Sequence, residues 1–406
     1  MNAPTYHGER TAHLNTAGTG RMPDGVRAVL ADCTALDDRF GPAALEERLG
    51  EVLHTQVHER LGGLLGVPAG DTVLAAGAAE AFEAFVSAAA LGPRDRIWTT
   101  PHEGVDRLTA LHALRDRTRC RLEVVPLRAD GDLDLDWMRA HLDEDVALVS
   151  VVHVSSACGT VNPVEEIGRL LAPHRARYAV DASHSVGQVP VDAARIGCHL
   201  LTADGWRFLR GPEGVGFAYV APGAWECLPQ PPAPAAVAAL HAALVHHAAA
   251  RPPSEDLPAR LRAAVERTPG LELLAAGREQ AGILAFRHGE IPAAVIRKGL
   301  ARRGVVVWKT VAHENPLHPA GQDAAPALRA SVHHDNTAQD IDRFERALAD
   351  VLREERQAAA PAPAPAPAEG ALAVAGASRA AGFGQPSPHR PRPVRRRGHL
   401  TLHRAT

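Results

Sequence analysis

The sequence predicts an α/β fold: a large domain on a mostly parallel sheet, followed by a smaller α+β C-terminal domain. Three observations carry that reading. From Asp71 to Val220, short apolar runs alternate with helical patterns, the rhythm of βαβ units. One run, Tyr178 to Val180, ends on an acid, Asp181, at the carboxyl end of a strand, where open α/β sheets place ligand contacts. A second, shorter alternation follows the Pro-rich stretch that ends at Pro234.

Residues 1–13 read as a polar arm. The segment His13-Leu-Asn-Thr-Ala-Gly-Thr-Gly20 gives a short strand running into a small-residue turn, which lets backbone approach a ligand. In the large domain, 14–234, strands are expected at 72–76, 97–99, 122–126, 146–154 and 178–181, with helices at 78–91, 105–117, 135–142 and 164–174. A second apolar pair, Leu200 and Leu201, precedes the Gly-rich hairpin Gly211-Pro-Glu-Gly-Val-Gly216. The small domain, 235–356, starts with an alanine-rich helix over 235–250. It continues with helix 258–267, strands near 271–274 and 282–287, helix 291–302, strands 305–308 and 327–332, and a long helix over 337–356. Beyond Gln357, alternating Pro and Ala favour extended polyproline II, so 357–406 read as a disordered tail with a basic end.

The chain has 406 residues, 46% hydrophobic and 22% charged, ordinary for a globular protein of two domains. A formal net charge of −3 gives no reason to expect nucleic acid as a partner. The five cysteines include no C-x-x-C pair, which argues against a disulfide framework or structural zinc and fits a reducing compartment. No run is long enough to span a bilayer and the amino terminus has no apolar signal core, so the expectation is a cytoplasmic chain with no membrane partner. Twenty-two histidines include two adjacent pairs, but none has recognisable ligand spacing, and no metal site is assigned.

Several motifs resemble the class V aminotransferases of the fold type I, pyridoxal-phosphate (PLP) group. Val152-His-Val-Ser-Ser-Ala-Cys-Gly-Thr-Val-Asn-Pro-Val-Glu-Glu-Ile167, Asp181-Ala-Ser-His-Ser-Val-Gly-Gln188, Gly211-Pro-Glu-Gly-Val-Gly216 and Leu328-Arg-Ala-Ser-Val-His-His-Asp-Asn-Thr337 carry the likeness, which covers about residues 13–355. It implies a seven-stranded-type sheet in a cofactor-binding large domain and a dimer, either a homodimer or a heterodimer with an intact paralogue. Within the family the motifs are similar to the branch of isopenicillin-N-epimerase-like proteins and hercynylcysteine sulfoxide lyases, which act on amino-acid-derived, sulfur-containing substrates.

The resemblance also assigns roles. Gly77, Ala78 and Ala79 form the turn of a phosphate cup at a helix start, although both hydroxyl-bearing positions are alanine here. His102 stacks on the cofactor ring, Ser156 faces it, Asp181 pairs with the ring nitrogen and His184 contacts the ring hydroxyl. Asn15 and Arg329 meet the substrate, the arginine forking onto its carboxylate.

The segment Thr202-Ala-Asp-Gly-Trp-Arg207 departs from the pattern. The phosphate-binding hydroxyl reads Asp204, the following basic position reads Trp206, and the Schiff-base lysine reads Arg207. A guanidinium stays protonated and forms no imine, and Lys298 and Lys309, the only lysines, lie far from the motif in sequence. Two readings follow. One is a PLP-family enzyme that holds its cofactor non-covalently, with His184, His102 or Tyr219 moving protons. The other is a non-catalytic scaffold or partner subunit.

Overall fold

A computed structural model describes residues 11–250, 256–274, 277–310, 313–318 and 326–359, all in one compact unit. The first ten residues of the arm and the tail from residue 360 lie outside the described residues. Seven strands form the main sheet: β2 (Thr72–Ala75), β3 (Arg96–Thr99), β4 (Arg121–Val124), β5 (Val146–Val152), β6 (Arg177–Asp181), β7 (Leu200–Asp204) and β8 (Gly216–Val220). Their order is β2-β8-β7-β6-β5-β3-β4. The run β4 to β7 is parallel; β8 and β2 pair antiparallel at one edge. This is the mostly parallel, seven-stranded α/β architecture expected.

Helices cover both faces, so the central strands read as continuous apolar runs rather than alternating ones. All seven residues of β5, V-A-L-V-S-V-V, are buried. The period of two survives in what each residue packs against. Val149, Val151, Tyr178, Val180 and Leu201 share a core with α3 (Val57–Leu65) and α7 (Val164–Leu171). Leu148, Ala179 and Leu200 pack instead with α4 (Ala78–Ser87) and α5 (Val105–Thr118).

A second core surrounds the antiparallel sheet β12 (Trp308–Thr310), β13 (Ala327–Ser331), β10 (Ile283–His288) and β9 (Leu271–Leu273). Helices α10 (Leu257–Glu266), α11 (Ala293–Arg302) and α12 (Ala338–Ala359) supply its apolar faces. A separate pair, β1 (Ala12–His13) and β11 (Val305–Val306), runs parallel and ties the amino-terminal segment to this body.

Three expectations are corrected. The helix read as opening the small domain, α9 (Pro234–Ala249), buries Val237, Leu240 and Leu244 in the core of the main sheet, so the boundary does not fall at 235. The strand expected over 305–308 splits at Val307, its halves pairing with different partners, β1 and β13. The polar arm expected through residue 13 contains a strand, β1, because Ala12 is buried against the second core. Helices α1 (Asp24–Phe40) and α2 (Pro42–Glu51) had no counterpart among the expected elements; they fully bury only Val26 and Cys33, and Leu45, mainly against α9. Among the described residues no helix is long and apolar enough to cross a membrane.

Candidate functional site

The carboxyl ends of the parallel strands open into a cavity of about 540 Å³. Twelve residues singled out from sequence line it. Gly77, Ala78 and Ala79 stand at the start of α4, and His102 follows β3. Ser156 follows β5, Asp181 ends β6, and His184 lies in the turn after it. Asp204, Trp206 and Arg207 come from the end of β7 and the loop beyond. The second body contributes Arg329 from β13, and Asn15 enters on the segment after β1. Chain regions three hundred residues apart in sequence meet here because β1 pairs with β11 while Asn15 bridges Ser331 and Ala17 donates to the Ser331 hydroxyl at 2.9 Å.

One amide at the start of α4 is already taken. Helix amino termini expose free amides and a positive dipole end, which attract an anion. The Gly77 cap offers no side chain, and the Ala78 amide donates at 3.0 Å to Oδ1 of Asp204. Arg207 Nε donates to the other oxygen, Oδ2, at 2.8 Å. The same guanidinium donates through Nη1 to the carbonyls of Ala17, at 2.7 Å, and Gly18, at 3.1 Å. Asp204 is 7% exposed; burial pushes its carboxyl up, against the opposing pull of Arg207 and the Ala78 amide. The Trp206 indole closes over the same spot: a Cβ on Gly77 would come within 3.1 Å of the ring. A side chain at position 77 would be crowded by this close approach rather than by unusual dihedrals.

The opposite wall retains its polar groups. Asp181 accepts the Ser183 amide at 2.9 Å and lines the cavity. His184 donates from Nε2 to the Ala17 carbonyl at 3.0 Å; burial, together with the charges of Arg207 and Arg329, holds its pKa well below the ordinary value, so the imidazole is neutral. Arg329 donates to the Ser156 carbonyl at 3.1 Å, and its Nε is buried without a hydrogen-bond partner. Burial lowers the guanidinium to about 10 despite the nearby Glu314, so it remains cationic at neutral pH.

Sequence reasoning missed Glu103 and Arg107. Their Oε1 and Nε are 3.1 Å apart, close enough for charge attraction though not aligned as a hydrogen bond. Arg107 also donates to Thr202 Oγ1 (3.0 Å) and Ser150 Oγ (2.9 Å), and its guanidinium lies 3.7 Å over the Phe82 ring. The i, i+4 spacing was visible, but that pattern ordinarily marks a solvated helix face. Glu314, from the short segment 313–318, also lines the cavity, and no sequence pattern announced it.

Part of the chain is similar to known proteins. Residues 45–231 match the model described as aminotransferase class-V. That segment is similar to the class V aminotransferases, and the match covers just under half of the chain. A probable cysteine desulfurase of Halobacterium salinarum is 28% identical over 218 residues, 52% of each chain. The chain spans about half the length of the curated relatives it matches. Solved structures extend the likeness at the level of fold. The Escherichia coli cysteine desulfurase CsdA superposes with a TM-score of 0.74 at 19% identity, covering 85% of this chain and 95% of that one. A variant of C-DES with glycine covalently linked to its PLP cofactor gives 0.71 at 18% identity, covering 84% and 96%. The class V match ends at residue 231, so it contains Asp204 and Arg207 but not Arg329.

Proposed function

We propose that this chain binds a small amino-acid-type carboxylate against Arg329 and carries out no lysine-imine chemistry. The observation that carries the proposal is the Ala78–Asp204–Arg207 arrangement. The class V resemblance puts a cofactor phosphate at the start of α4, and here that anion position is filled by the chain's own carboxylate. The same resemblance puts the imine lysine at position 207, and among the described residues no lysine lines the cavity. A phosphate brought beside Asp204 would face a buried like charge, which is strongly unfavourable. The residues present therefore do not fit PLP anchored by its phosphate and a lysine imine.

A second reading is an enzyme that retains PLP-family chemistry without the lysine. It rests on Asp181, His184 and Arg329 lining one cavity. Sulfur-containing amino acids are the first ligands to test under either reading, because the matched relatives are named for cysteine desulfuration and the motifs resemble sulfoxide lyases. Light scattering would test the dimer that the family resemblance implies.

Two experiments bear on these readings. Arg207→Lys alone is expected to give no adduct with PLP that borohydride reduces. A lysine beside Asp204 stays an ammonium and a poor nucleophile, and the anion position is still filled. The double change Arg207→Lys with Asp204→Ser should bind PLP more tightly than either single variant. A reducible adduct in the single Arg207→Lys variant, seen by intact mass, would overturn the proposal. Arg329→Ala should weaken a carboxylate ligand found by thermal-shift screening by roughly 1.5–3 kcal/mol, the value of a hydrogen bond to a charged group. Calorimetric affinity unchanged by that substitution removes Arg329 from the binding site.

A further inference from the structure

Beside the cavity, three segments that are remote in sequence bring His102, Cys158 and His318 together. His102 follows β3, Cys158 lies in the turn after β5, and His318 comes from the segment 313–318. All three are buried, at 2%, 1% and 6% exposure. One donor atom from each lies within 4.8 Å of the other two. The Sγ of Cys158 is 3.6 Å from Nε2 of His318, and the two imidazole centroids are 5.3 Å apart. Apart from the neighbouring Cys158 thiol, neither ring nitrogen of His102 has a hydrogen-bond partner among the described residues. A buried polar group left in that state is destabilising, so the position needs an explanation.

We propose that His102, Cys158 and His318 bind a borderline-soft divalent metal ion of the zinc type. Tetrahedral zinc with bonds of about 2.3 Å to sulfur and about 2.0 Å to nitrogen holds those two atoms roughly 3.5 Å apart. The Cys158–His318 separation already has that value. A thiolate and two imidazoles select against magnesium and calcium, which take oxygen ligands. Three protein ligands leave a fourth position, as in zinc sites that keep one place for water or substrate. His102 also lines the cavity, so the ion would fix the orientation of a ring that faces the bound ligand. The spacing rules applied to the sequence could not find this set, since no two of its members lie within one local motif. The site does not depend on whether the cavity binds PLP or a free carboxylate.

The test uses the untagged full-length chain, stripped with a chelator and titrated with Zn²⁺ and then Co²⁺. The proposal expects one equivalent of zinc per chain with this site saturated. It also expects a Co²⁺ complex with tetrahedral ligand-field bands and thiolate-to-cobalt charge-transfer absorption. In Cys158→Ser the charge-transfer band should disappear while circular dichroism stays native. His318→Ala, a second variant in case the first misfolds, should weaken zinc by at least ~10-fold. Cobalt bound without a thiolate band would place the metal elsewhere, for instance at His246, His334 and Asp335, the other ligand group among the described residues, and would overturn the proposal. So would a thiolate band that persists in natively folded Cys158→Ser, or apoprotein that takes up no zinc.

Discussion

Replacing Arg107 with methionine is expected to destabilise the protein by about 3–5 kcal/mol, the largest loss from any single change considered. The substitution keeps much of the side-chain volume but removes the one cation paired with Glu103 among the described residues; Glu103 is 0% exposed. Burial pushes the Glu103 carboxyl up; Arg107 opposes this, as do hydroxyl bonds from Ser150 (2.9 Å) and Thr99 (3.2 Å). Without Arg107 the carboxylate is an uncompensated buried charge, and Thr202 and Ser150 each lose a donor as well. Urea unfolding of Arg107→Met, Glu103→Gln and the double variant would measure the coupling. The double variant should recover part of the loss, because neither charge is then stranded. The single variant should also be less impaired at lower pH, where Glu103 takes up a proton. If Arg107→Met costs less than about 1 kcal/mol, the pair is a solvated contact and the buried-network account fails.

Acid should unfold the protein well above the range where carboxylates titrate. Burial lowers His153 to about 4. Burial, with the charges of His334 and Arg210, lowers His333 to about 2. His333 donates its Nε2 proton to the Phe208 carbonyl at 2.8 Å, so the native state holds it neutral. These are bases whose folded pKa lies below the unfolded value of about 6.5. Between the two values the unfolded chain binds more protons, so stability rises with pH. Their contribution is fully present above pH 6.5 and is lost as pH falls toward the folded values. At pH 5 each histidine removes about 2 kcal/mol, roughly 4 kcal/mol for the two, and neutral His184 adds in the same direction. Urea midpoints at pH 7.5, 6 and 5 check this, and His333→Gln should flatten the dependence. A dependence left unchanged by His333→Gln would contradict the burial of that ring, whatever the opposing contribution of the raised Glu103 and Asp204 carboxyls.

The alternation of elements from β2 to β8 was legible because the central strands β3, β5, β6 and β7 are buried on both faces and the helices between them carry apolar stripes. The motif residues were legible for a related reason. Asp181, His184 and the Gly211–Gly216 loop occur at short spacings set by one strand and its turn. The boundary at 235 was misread because α9 is apolar all round, and such a helix does not declare which core it enters.

The sequence by itself determined the α/β order, the class V likeness and the chemistry that cannot occur at position 207, since a guanidinium forms no imine in any surroundings. Only the tertiary structure decided where the replacing groups point. Asp204 turns its carboxylate onto the Ala78 amide and Arg207 closes over it, a pairing between the start of one helix and the end of a strand far along the chain. The burial of Glu103 with Arg107, and the meeting of His102, Cys158 and His318, belong to the same category. Local spacing encodes helices and turns; charges and ligands drawn from separate strands become neighbours only when the sheet and the second body close around one cavity.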